Sequence, residues 1–152
     1  MINENTLQWL WKNKKLPIFN GLIFKDGRLL LSEFKVGSIE FIKPLGNVNL
    51  TTLLANNPEE FVPIHELGRH KFAGNKYLSF GGGSFGSDGY IGYVVDECIE
   101  WLVFFDWSSD FGFCRLIDGD NLLIYQDNYS IDGCLVNRFS PEKIKWIPLQ
   151  KA

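Results

Sequence analysis

Aspartate followed by glycine occurs four times in this chain, at residues 26, 88, 118 and 132, each time beside a run of apolar residues. Asp-Gly is a favoured turn pair for antiparallel hairpins, because glycine has no Cβ to clash when the backbone turns left-handed. The four pairs therefore predict a fold built of hairpins. "GLIFKDGRLLLSEF" reads as two strands joined at Asp26-Gly27, and "FCRLI" and "NLLIYQ" as two joined through Asp118-Gly119-Asp120. "KYLSF" and "YIGYVVD" flank a third turn, and "YSIDGCLV" repeats the device at Asp132-Gly133. "GSIEFIK" and "EWLVFFDW" supply two further strands.

Helical signals are few. "NTLQWLWKN" (5–13) has Asn5 or Thr6 as N-cap and Leu7, Leu10 and Trp11 on one face. Leu50, Leu53 and Leu54 also lie at helical spacing, before a stop at Asn57-Pro58. Ser140-Pro141-Glu142 opens a single helical turn, and residues 62–76 show no period and read as a loop. The expected fold is one α+β domain spanning residues 1–152, an antiparallel sheet of hairpins with two or three short helices packed on one side. Along "EWLVFFDW", Trp101, Val103 and Phe105 should face the core, leaving Leu102 and Phe104 for a covering layer.

"YLSFGGGSFGSDGY" (77–90) spells three catalytic motifs at once. A dinucleotide loop needs a helix directly after the glycines, but a strand follows. A serine-hydrolase elbow at Ser84 needs a later histidine, whereas His65 and His70 both come earlier. A kinase needs lysine and H-R-D machinery, and none separates Gly86 from the "DFG" at Asp110–Gly112. The glycines are left with a backbone role, positive φ or close chain approach in a wide hairpin, and Phe85 as a residue it presents.

"HELGRH" (65–70) misses the zinc-protease spacing by one residue, and "DGDN" (118–121) lacks the glycine and final glutamate of a calcium loop. No catalytic residue, metal ligand or cofactor is assigned. Three cysteines without a C-x-x-C pair argue against a disulfide framework, and no apolar run is long enough to cross a membrane, so the chain is expected in the cytoplasm. Charge is unevenly spread: residues 87–134 hold ten acids and only Arg115 as a base, against fourteen bases and eight acids elsewhere. An acidic half repels nucleic acid and attracts a basic protein. The aromatics of "WLVFFDWSSDFGF" (101–113) stand among those acids, as a recognition patch for a basic protein would.

"YLSFGGGSFGSDGYIGYVVD" followed by "WLVFFDWSSDF" resembles small bacterial immunity proteins of polymorphic toxin and contact-dependent inhibition systems, and the glycine-aspartate turn is similar to the SUKH superfamily. The resemblance covers about residues 60–125. It implies a non-enzymatic cytoplasmic protein that neutralises one cognate toxin domain, itself basic if it is a nuclease. Charge and aromatic clustering select Asp106, Trp107, Asp110, Phe111, Asp118, Asp120 and Asp127 as contact candidates. The alternative is a small-ligand module, with aromatic strands lining a pocket and His65 or His70 orienting a polar ligand.

Overall fold

The computed structural model describes residues 6–17, 19–35, 38–42, 61–83, 88–105 and 108–149. The first element is a short helix, α1 (Thr6–Lys12), followed by strands β1 (Lys15–Pro17), β2 (Gly21–Phe24), β3 (Leu29–Lys35) and β4 (Ser38–Ile42). Next come β5 (Phe61–Phe72), β6 (Lys76–Gly83), β7 (Gly89–Val95) and β8 (Cys98–Phe105). The chain ends with β9 (Phe113–Asp118), β10 (Asn121–Tyr125), β11 (Asp132–Asn137), a 3₁₀ turn at Pro141–Lys143 and β12 (Lys145–Pro148).

The strands form two antiparallel sheets. The larger has the order β1-β5-β6-β7-β8-β2-β3-β4, the smaller β12-β11-β10-β9. Alternation along each strand gives the larger sheet two apolar faces. On one, Leu78, Phe80, Ile91, Tyr93, Trp101, Val103 and Phe105 pack against Leu122, Ile124, Cys134, Val136, Ile144 and Trp146 from the second half of the chain. On the other, Tyr90, Ile99, Leu102 and Phe104 pack against Leu7 and Leu10 of α1. The division expected within "EWLVFFDW" holds. Gln8 fixes the helix to β8: its Nε2 donates to the Ile99 carbonyl at 2.7 Å and its Oε1 accepts from the Ile99 amide at 2.8 Å.

The expected α+β layering is corrected. Among the described residues there is one α-helix and one 3₁₀ turn, and the layer covering the inner face of the larger sheet is a second sheet. The reason lies in the strands after Phe111, which were expected to extend a single sheet and instead fold back over it. Residues 62–76 are also corrected, from loop to the long strand β5 and its turn. A bulge between Glu66 and Gly68 shifts the pairing with β6 and breaks the two-residue period that would have marked the strand. The expected helix around Leu50–Leu54 lies outside the described residues.

The hairpins at Asp26-Gly27 and Asp118-Gly119 form as expected. Gly27 takes φ 90°, and Asp26 Oδ1 accepts from the Arg28 amide at 3.0 Å. The other two pairs are not turns: Gly89 opens β7 and Asp132 opens β11. The turn between β7 and β8 is made instead by Asp96 and Glu97, both left-handed at φ 51° and 68°. Consecutive positive-φ residues suit the twist of a two-residue hairpin, and non-glycine residues rarely supply them.

Candidate functional site

The glycine stretch serves close approach. Gly81–Gly83 end β6, and Gly89 and Gly92 lie in β7; Ser84, Phe85 and Gly86 are outside the described residues. A Cβ on Gly81 would overlap the carbonyl oxygen of His65 across the bulge, and one on Gly82 would overlap the Asp110 carboxylate. The loop after β8 is thus drawn onto β6, where the Phe111 amide donates to the Gly81 carbonyl at 3.0 Å. Asp88 is buried beside them and accepts from the Gly83 amide at 2.6 Å. Asp110 Oδ1 is buried with no hydrogen-bond partner among the described residues. Burial pushes the Asp110 carboxyl up, and the neighbouring Asp88 charge adds to the rise.

Of the seven contact candidates, five lie among the described residues, and one of these, Phe111, is not at the surface. Asp106 and Trp107 lie outside the described residues. Phe111 is fully buried between the sheets, its ring 6.4 Å from Phe105 and 6.2 Å from Trp146. Asp118 sits at one end of β10 and Asp127 just beyond the other. Each organises its own turn: Asp118 Oδ1 accepts from the Asn121 side chain at 2.8 Å, and Asp127 Oδ1 from the Tyr129 amide at 2.8 Å. Asp120 is ion-paired to Arg138 at 3.0 Å.

Between these acids lies a surface that charge counting missed. β9 is an edge strand, with β10 on one side and, among the described residues, no strand of its sheet on the other. Phe113, Leu116 and Ile117 are exposed along it, and Tyr129 and Ile131, in the turn after β10, are 92% and 82% exposed. Phe113 stacks on Tyr125 of β10 at 5.7 Å, which holds its ring at the rim. Other edges are protected. β12 carries Lys145 and Pro148, β1 carries Lys15 and Pro17, β4 carries Glu40, and the length of β5 that runs beyond β1 carries its bulge with Glu66, Arg69 and Lys71. Bulges, prolines and charged side chains are the devices by which sheets discourage pairing with other chains; β9 carries Arg115, Asp118 and a register shift at Ile117, yet leaves Phe113, Leu116 and Ile117 exposed.

A second polar feature lies on the face of the larger sheet that carries α1. Ser79 Oγ donates to Glu66 Oε2 and lies 2.9 Å from the Tyr90 hydroxyl, and Arg69 Nη2 pairs with Glu66 Oε1 at 2.8 Å. Burial pushes the Tyr90 phenol well above its usual range, so it remains a hydrogen-bond donor. His65 is exposed and His70 packs edge-on against Phe72 at 5.0 Å. Strand alternation on either side of a bulge, unreadable as a motif, brings Glu66, Ser79 and Tyr90 together. No family model, curated protein or solved structure matches this chain.

Proposed function

We propose that this chain is a non-enzymatic immunity protein of the cytoplasm, which binds and neutralises one cognate bacterial toxin domain along the open edge of the smaller sheet. The observation that carries the reading is β9, an edge strand whose Phe113, Leu116 and Ile117 are exposed between acids. Exposed apolar residues on an edge supply the contact that slows dissociation. Asp118 and Asp127 beside them supply a negative field that speeds approach of a basic partner such as a nuclease domain. The sequence resemblance supports the same class of protein.

The test uses the toxin domain encoded beside this chain. A one-to-one complex that weakens with salt is expected, and Ile117→Lys should weaken it by at least about tenfold, the scale of a central interface residue. Since Ile117 is 51% exposed, its replacement should leave stability within about 0.5 kcal/mol. Failure of the wild-type chain to bind or inhibit that domain would refute the reading.

A further inference from the structure

The α1 face of the larger sheet carries an open cleft of about 360 Å³, within the size of small-molecule sites. Trp11 and Tyr77 contribute its exposed rings, and the fully buried Tyr90 lies behind them, edge-to-face with Trp11 at 5.9 Å. The Arg69 guanidinium lies 4.1 Å over Tyr77 while pairing with Glu66, so the two charges cancel within the wall. Lys12 and Lys14 also line the cleft and make no ion pair among the described residues. Glu97, a further lining residue, is likewise unpaired there. Two free ammonium groups against one free carboxylate leave a surplus of a single positive charge.

From these groups we infer that the cleft binds a planar organic monoanion, an aromatic carboxylate. The ring lies against Trp11 and Tyr77, and the carboxylate meets Lys12 and Lys14. The limited volume and the Glu97 charge disfavour polyphosphates. Lys14 holds φ 54° immediately after α1, so its backbone bends sharply where the helix meets the cleft. This site lies on the opposite face of the larger sheet from the smaller sheet and stands independently of toxin binding.

Indole-3-acetate serves as probe, with the chain followed by two-dimensional ¹H–¹⁵N NMR and the Trp11 indole assigned through Trp11→Phe. The Trp11 indole and the Tyr77 amide should shift saturably, and tryptamine, the cation on the same ring, should bind more weakly. The double variant Lys12→Gln/Lys14→Gln should lose about five- to tenfold in affinity, as expected for two partly exposed charge contacts. Both lysines are exposed, so the variant should keep the dispersed spectrum of the folded chain. No shift at millimolar probe, equal binding of tryptamine, or unchanged affinity in the double variant would each overturn the assignment.

Discussion

At the scale of single residues, the most consequential side chain is Asp110. It reaches β6 only because Gly82 lacks a Cβ, and its buried Oδ1 has no partner among the described residues while Asp88 lies nearby. An acid whose folded pKa is raised holds its proton more tightly folded than unfolded. It therefore lowers stability as pH climbs from the usual 3.8 through the raised folded value. Asp110→Asn keeps the shape and removes the charge. We expect it to raise the thermal midpoint at pH 7 and to leave it nearly unchanged well below pH 3.8, where the wild-type carboxyl is also neutral. A midpoint at pH 7 equal to or below that of the wild type would show that Asp110 is matched by a group that needs its charge.

Among the elements, the segment after β11 fastens the two sheets. Arg138 is only 16% exposed and lies over Phe72 of β5 at 4.0 Å and Phe139 at 4.5 Å. It donates to Asp120 at 3.0 Å and to the Tyr93 hydroxyl at 3.3 Å, and its carbonyl accepts from Trp101 Nε1 at 2.8 Å. A planar guanidinium satisfies rings and acceptors together, and an ammonium cannot. Arg138→Lys should cost about 1–3 kcal/mol in denaturant unfolding. A change below about 0.5 kcal/mol would mean that the rings hold the sheets without it. The same pairing engages one oxygen of Asp120, selected on charge, whose side chain stays 44% exposed. β9 has a different character, since its Leu116 and Ile117 are half-exposed, and Ile117→Lys is expected to leave the fold in place.

For the molecule as a whole, the stability of each sheet rests on the interface between them. Phe111 occupies that interface, with Trp146 on one side and Phe105 on the other. Phe111→Ala should cost about 3–5 kcal/mol. Labelling of Cys134, which is buried in the same core, should accelerate in proportion. Cys98 is exposed and should react at once in both proteins. If Phe111→Ala left stability intact and abolished toxin binding, the residue would belong to the binding surface as its sequence context suggested. Pairing is also far apart in the chain, with Ile23 opposite Leu102. Closing so long a loop before any contact rewards it predicts refolding in milliseconds to seconds.

Much of the strand content was legible because it is local. Apolar runs beside turn residues marked β2 to β4 and β6 to β10, Asp-Gly marked two of the turns, and Leu7 and Leu10 at helical spacing marked α1. Where a bulge interrupted alternation, as at Glu66–Gly68, the strand was unreadable. The candidate site was less legible still. Charge along the chain counts acids without saying which ones cap their own turns or meet an arginine, so Asp118, Asp120 and Asp127 looked like one patch. The amino-acid sequence by itself determined that this is a chain of antiparallel hairpins, because turn chemistry and alternation act over a few residues. Only the tertiary structure decided that the last four strands lie over the first eight, that β9 is left as an apolar edge, and that Trp11 and Tyr77 line one open cleft, because each depends on which distant strands pack face to face.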